Sequence, residues 1–346
     1  MGGTENVILQ YCEALKGKVN GIVVCSCGGV NEARLAEMGI KHYKIDDIEQ
    51  KSLRVAWRTI RELRRIVEKE HITVVHSNHR MAAFYAQIAL KDRIRKVATA
   101  HNVFHDKRSL TKFAYRDTEI IAVGKAVKEN LVSYFGIDPD QVSIIYNTVR
   151  PMRTRIVEIP EIRNARSMGY LTVGNVGRLT EQKGMEYFIN AAREALKKND
   201  RLKFFIVGDG EEKEKLIRQS RDLLDKEQLY FLGYRDDVQN VMAQLDVVVL
   251  SSLWEGFPLT PIEAFSVGKT IIGTAVDGTK EIIDDGENGL LVESGDANQI
   301  AMAILELAED KKKRVLYGKN AKKVYDEKFA FDIFSKMYVD FYEKMT

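Results

Sequence analysis

The chain has 346 residues, 45% hydrophobic and 30% charged, with a net charge of +3, which is globular composition at a length that suits two domains. No apolar run approaches the ~20 residues that span a bilayer, and Met1 is not followed by a charged segment and an apolar stretch of signal-peptide type. A cytoplasmic, unprocessed chain is therefore the expectation, and three cysteines confined to positions 12, 25 and 27 offer no disulfide framework. The charge is uneven: residues 1–150 carry a net +7 and the remainder −4, so the first half is the one expected to meet an anion.

In chain order, Gly2 and Gly3 come directly after Met1, where a doubly wound domain would first have a buried strand and only then its glycine turn. The turn is legible and the strand is not. The first strand of the N-terminal domain is thus expected to be missing, with the functional protein beginning upstream. Short β-branched runs then alternate with helical patterns: GIVVCS, ITVVHS, RKVATAH, TEIIAVG and VSIIYN in the first half, as strands buried on both faces of a parallel sheet would. Cys25 and Cys27 flank Ser26, but no second Cys/His pair stands at a zinc-like spacing, so they read as small residues near the end of a strand.

The stretch KSLRVAWRTIRELRRIVEKE reads as an amphipathic helix with Leu53, Trp57, Ile60 and Val67 on its apolar face and Arg54, Arg58, Arg61 and Arg65 along a polar stripe. With the basic, aromatic loop Phe104–Arg116, it suits an anionic membrane surface or a lipid-linked diphosphate acceptor, or equally a solvated helix face and an ordinary loop. No nucleic-acid recognition motif accompanies the charge. His76 and His79 in VVHSNHR and His101 in TAHNVF each follow a strand. A lone histidine serves packing or capping as readily as chemistry. Asp138 and Asp140 flank Pro139 ahead of a strand, which favours turn-forming aspartates over a metal pair.

Residues 151–169, polar and with Pro151 and Pro160, read as a linker between an N-terminal Rossmann-like domain (1–150, the acceptor side) and a C-terminal one (170–328). The second domain repeats the alternation in TVGNVGRL, KFFIVGDG, LYFLGY, DVVVLSS, TIIGTA and GLLVES. In its segment SSLWEGFPLTPIEAFSVG, Glu255 and Glu263 stand eight apart around a turn of Gly256, Phe257 and Pro258 that precedes a helix. Free N–H groups at a helix start attract a phosphate, and two carboxylates beside it would accept hydrogen bonds from sugar hydroxyls. The alternative is a surface loop with two capping or solvated glutamates. The tail 329–346 spaces Phe331, Phe334, Met337, Tyr338, Phe341 and Tyr342 helically and is expected to bury that face, on the N-terminal domain.

The E-x7-E pattern Glu255–Glu263 resembles the signature of glycosyltransferase family 4, retaining enzymes of the GT-B fold, an α/β architecture of two Rossmann-like domains facing a cleft. GGTE, TAHN, IIYNTV, VGRLTEQKG, FIVGDGEE, FLGYRDDV and GENGLLVESGD follow in the family's order. The resemblance implies that Arg178 and Lys183 hold the donor diphosphate, that Glu263 binds ribose hydroxyls and Glu255 the donor sugar, and that Gly2, Gly3, Gly256, Phe257 and Pro258 line the donor site. It places Gly233 and Tyr234 at the base, makes Asp209 and Gly210 structural, and sets His101 beside the donor sugar as a contributor to catalysis; His76 and His79 remain acceptor-side candidates. It further implies no metal and no cofactor, because the nucleotide-sugar, expected to be a UDP-sugar, is a substrate. The acceptor would be a sugar or lipid-linked hydroxyl in cell-surface polysaccharide or glycolipid synthesis, at the inner face of the membrane. Alternatives are an epimerase or a non-catalytic nucleotide-sugar-binding module of the same fold.

Overall fold

The computed structural model describes residues 3–29, 31–48, 50, 52–90, 94–152 and 155–345. The chain divides into two compact units, one of residues 1–148 with 332–346 and one of residues 149–331.

In the first unit the β-branched runs form six strands: β1 (Val23–Ser26), β2 (Lys41–Lys44), β3 (Val74–Ser77), β4 (Arg95–Ala100), β5 (Glu119–Ala122) and β6 (Val142–Ile144). They do not make one sheet. Among the described residues β1 pairs in parallel with β2 alone, while β3, β4, β5 and β6 form a separate parallel sheet in that order. The central strands are buried as expected, with Ile120, Ile121 and Ala122 fully enclosed. All of β1 and the first three residues of β3 are only half-buried. Gly3 opens the helix Gly3–Leu15 rather than forming a turn, and Gly2 lies outside the described residues.

The helix Leu53–Lys69 is formed where the sequence places it, but its buried stripe is Val55, Thr59 and Ile66. Leu53 is 92% and Trp57 60% exposed. The reason is angular: at ~100° per residue, Leu53 stands nearly opposite Val55, and the Val55 side is the buried one. The closing helix, Phe331–Glu343, buries Phe334 and Tyr338, and Tyr338 stacks on Tyr11 with ring centres 5.3 Å apart.

The second unit holds one six-stranded parallel sheet: β7 (Leu171–Val176), β8 (Leu202–Val207), β9 (Leu229–Gly233), β10 (Val247–Leu250), β11 (Ile271–Thr274) and β12 (Gly289–Val292). Their spatial order is β12-β11-β10-β7-β8-β9. Val173, Phe204, Ile206, Val249 and Ile272 of the sheet pack with Phe188 and Ile189 of the helix Met185–Leu196 and with Ile300 and Ile304 of the helix Ala297–Glu309. Each such side chain contributes about 1.5–3 kcal/mol by leaving water.

The stretch read as a linker is part of this unit. Pro160, at the first helical position, starts the helix Pro160–Ser167, which buries Ile162 and Ala165. Before it, Val157 and Ile159 donate backbone hydrogen bonds to the side-chain carbonyls of Asn240 and Gln244, each at 2.9 Å. Polar composition there reflects hydrogen bonding to a neighbouring helix rather than freedom.

Candidate functional site

All six strands of the second unit are parallel, so their carboxyl ends share one edge. The chain runs outward from β7 through β8 and β9, then returns to lay β10 on the other side of β7. Ligands of open α/β sheets bind where the order reverses in this way, outside the carboxyl ends. The loops at that point are the one after β7, carrying Arg178 and Lys183, and the one after β10, carrying Glu255.

Two glycines bring these loops together. Gly184, in the left-handed conformation at φ 56°, ends the short turn Glu181–Lys183 and opens the helix Met185–Leu196. A Cβ there would stand 2.3 Å from the carbonyl oxygen of Ser251, so only glycine lets Lys183 lie against the end of β10. Gly278 does the same for the other loop, where a Cβ would meet the Gly256 carbonyl at 2.2 Å.

Lys183 Nζ and Glu255 Oε1 consequently form an ion pair of 2.5 Å, with only 14% and 7% of the two side chains exposed. Ser252 Oγ donates to the same carboxylate oxygen at 2.6 Å. Arg178 is exposed, with no side-chain partner among the described residues. Glu263 stands on the helix Leu259–Ser266. Burial pushes its carboxyl up to about 7, against the opposing pull of Lys183, so near neutrality it both donates and accepts hydrogen bonds. Phe257 is buried and tilts against Phe329 with ring centres 6.0 Å apart, so its ring anchors the loop. Gly256 and Pro258 are buried as well. Gly233 ends β9 at φ 69°, and the next side chain, Tyr234, is 57% exposed. Asp209 caps its own turn through the Gly210 N–H at 2.8 Å.

The histidines of the first unit separate into different roles. His76 is engaged on both ring nitrogens, Nδ1 with the Tyr342 hydroxyl at 2.8 Å and Nε2 with Thr99 Oγ1 at 2.7 Å. Its ring stacks on Tyr11, and burial lowers it to about 3. It is therefore a neutral residue with both ring nitrogens engaged inside the first unit. His79 caps the helix Arg80–Ala89, its Nδ1 accepting the Met81 N–H at 3.2 Å. His101 differs. Its Nε2 is buried without a partner among the described residues, and burial lowers the ring to about 4, so it is neutral and has a hydrogen bond to offer.

Sequence reasoning passed over Ser252 and Gly278. Ser252 had a local signal, the S-x-x-E spacing to Glu255, which ordinarily marks a helix cap; Gly278 had none, because its partner is backbone distant in sequence.

Residues 159–324 match the family model described as glycosyl transferases group 1, and residues 1–153 the one described as glycosyltransferase family 4. Over 273 residues the chain is 29% identical to the UDP-Gal:alpha-D-GlcNAc-diphosphoundecaprenol alpha-1,3-galactosyltransferase of Escherichia coli, covering 72% of this chain and 70% of that one. An uncharacterized glycosyltransferase of Methanocaldococcus jannaschii is 32% identical over 237 residues, 66% of this chain and 60% of the relative. Among solved structures, a glycosyltransferase of Rickettsia africae superposes with a TM-score of 0.84 at 18% identity, covering 99% and 95% of the two chains. The Anabaena protein HepE, solved with UDP and glucose, gives 0.82 at 20% identity over 99% and 96%. Parallel α/β units with this likeness define the GT-B fold. Within that class, the two matched models and the relatives place the chain in the family 4 type of glycosyltransferase, a finding that does not favour the epimerase alternative.

Proposed function

We propose that the protein is a retaining, metal-independent glycosyltransferase that moves a sugar from a UDP-sugar to an acceptor hydroxyl of a polysaccharide or glycolipid precursor. The observation that carries this reading is the buried Lys183–Glu255 pair beside the exposed Arg178 at the switch point of the sheet. Arg178 offers a planar guanidinium fork and Lys183 a compact ammonium to the diphosphate, and both gain strength as negative charge develops on the departing nucleotide. When the diphosphate draws Lys183 toward itself, Glu255 is released to accept hydrogen bonds from the donor sugar. Glu263 takes the ribose hydroxyls, and the exposed Tyr234 ring receives the base at the end of β9, where Gly233 leaves backbone accessible. His101 of the first unit offers its unpartnered Nε2 as a neutral hydrogen-bonding group that contributes to catalysis. The relative solved with UDP and glucose and the Escherichia coli relative named for a UDP-galactose donor support the choice of base. Incubation with UDP-, GDP- and ADP-sugars in the presence of EDTA should release UDP alone; release only from another donor, or only when a divalent ion is restored, would overturn the corresponding part of the reading.

The same reading places the protein at the cytoplasmic face of a membrane. Among the described residues no helix is long and apolar enough to cross one, and the surface of the helix Leu53–Lys69 supports a peripheral contact. Leu53 and Trp57 stand outward among Arg54, Arg58 and Arg61, with the Arg61 guanidinium 4.7 Å from the centre of the Trp57 ring. Apolar side chains within a basic surface suit an anionic lipid interface. The protein should sediment with phosphatidylglycerol vesicles at low salt and not with phosphatidylcholine vesicles, and Trp57→Ala should weaken that binding about threefold to tenfold; equal binding to both lipids would count against the contact.

A further inference from the structure

We propose that Asn130 is a positioning residue for the reaction: its side-chain amide clamps the backbone of Phe104 and thereby fixes the ring of His101, three residues earlier in the same loop. This role rests on the reading of His101 above as a contributor to catalysis. The Asn130 amide grips one residue from both sides, its Oδ1 accepting the Phe104 N–H at 3.1 Å and its Nδ2 donating to the Phe104 carbonyl at 3.0 Å. Only one orientation of the amide satisfies both bonds. A pair of this kind is what a neighbouring strand gives to a residue, delivered here to a loop by a single side chain.

The span between His101 and the clamp is short. β4 ends at Ala100, whose carbonyl accepts the Val123 N–H at 3.2 Å. His101, Asn102 and Val103 therefore bridge two fixed points. The far side of the loop is held as well: the Tyr134 hydroxyl donates to the His105 carbonyl at 2.6 Å, and Arg80 Nη1 donates to Asp106 Oδ1 at 2.9 Å with its guanidinium 4.5 Å from the centre of the Phe104 ring. Asn130 and Tyr134 bound a single π-helical turn, in which the Phe135 N–H reaches back five residues to the Asn130 carbonyl at 3.3 Å. Widened turns of this kind collect at functional sites.

Satisfying the loop does not by itself account for the clamp. Phe104 is only half-buried, so water can pair its N–H and carbonyl, whereas Asn130 is 8% exposed and its amide costs stability unless bonded. What the side chain adds over water is a fixed place for the loop. His101 is the group there whose place matters, because its Nε2 is buried without a partner among the described residues, and a catalytic group must be held within about 0.5 Å of its productive position.

The test compares Asn130→Leu, similar in shape but without either bond, with Asp138→Ala, which removes a turn cap outside this loop, the bond from the Asp140 N–H at 3.0 Å. The ring nitrogens of the six histidines are followed by NMR at pH 7.5, with His101 assigned through His101→Gln. In Asn130→Leu the His101 signals should shift or broaden while those of His42, whose Nε2 lies 2.8 Å from Ser26 Oγ, stay in place; Asp138→Ala should move neither. With the UDP-sugar that releases UDP, kcat should fall about 10- to 100-fold in Asn130→Leu, with the donor KM little changed, and stay native in Asp138→Ala. If Asn130→Leu does not fold, Asn130→Asp, which still accepts the Phe104 N–H but cannot donate to the carbonyl, should show the same ring changes and a smaller loss of kcat. Unchanged His101 signals in the folded variant would overturn the proposal whatever the turnover. So would a kcat no lower than that of Asp138→Ala where His101→Gln is itself impaired. Native turnover in His101→Gln would instead defeat the catalytic reading of that histidine, and the ring spectrum, which needs no donor, would still decide whether Asn130 places it.

Discussion

Lys183→Ala and Glu255→Gln should each reduce turnover at least about 100-fold, the scale of removing one charged group from a developing anion. Each should also destabilise the second unit, by about 3–5 kcal/mol, because the pair is buried and either change strands the remaining partner. Loss of activity in one variant alone is therefore ambiguous between chemistry and folding. The double variant Lys183→Met with Glu255→Gln resolves it. With no charge left unpaired, the melting temperature should recover most of the loss while turnover stays at the level of the single variants. Recovery of both would mean that the pair only holds the loops together; recovery of neither would mean that packing around Ser252 and Gly184, rather than charge, dominates.

Acidification should melt the first unit before the second. His76 and His101 are held neutral by burial, at about 3 and about 4, below the usual value near 6.5. A histidine whose native value is depressed contributes nothing adverse above its unfolded value, where both states are neutral. As pH falls below 6.5 the unfolded chain binds protons that the native one refuses, so stability is lost between pH 6.5 and 4. By pH 4 each costs about 3 kcal/mol, and together they approach the whole stability of an ordinary domain. In the second unit Glu263 works in the opposite sense. Its native value is raised to about 7, so the native state holds its proton more tightly and gains relative stability as pH falls from 7 toward the usual carboxylate range. Calorimetry at pH 7, 5.5 and 4 should resolve one transition into two, the lower moving with pH. His76→Gln, which keeps hydrogen-bonding capacity without titrating, should flatten that dependence. A single transition insensitive to pH would contradict the assignment.

How much of this was legible beforehand depended on whether the cause was local. The loop after β10 could be read from sequence because its parts are neighbours in the chain: a turn, a helix start and two carboxylates one motif apart. The alternation of strands and helices was legible for the same reason. Burial was not. Leu53 and Trp57 read as one apolar face with Ile60 and Val67, yet the residues the helix buries are Val55, Thr59 and Ile66, while Leu53 and Trp57 stand exposed. His76 reads from sequence only as the end of a strand, and its hydrogen bond to the distant Tyr342 appears only in the fold. Residues 151–169 read as a tether because their partners, Asn240 and Gln244, lie about 80 positions away. The Lys183–Glu255 contact spans 72 positions, and no local pattern announces it.

The chain enters the second unit near Val149 and leaves it at Phe331, and its last residues return to the first. On the ribosome this reverses the usual precedence of amino-terminal domains. The unit begun first is the unit completed last, since Tyr11 and His76 acquire their partners Tyr338 and Tyr342 only when the final turns of the chain are released. The contiguous unit, made second, can fold while the first still waits. During that interval the exposed edge strands of the first unit are the nascent chain's chief hazard for aggregation, and loss of the final fifteen residues would injure the beginning of the protein rather than its end.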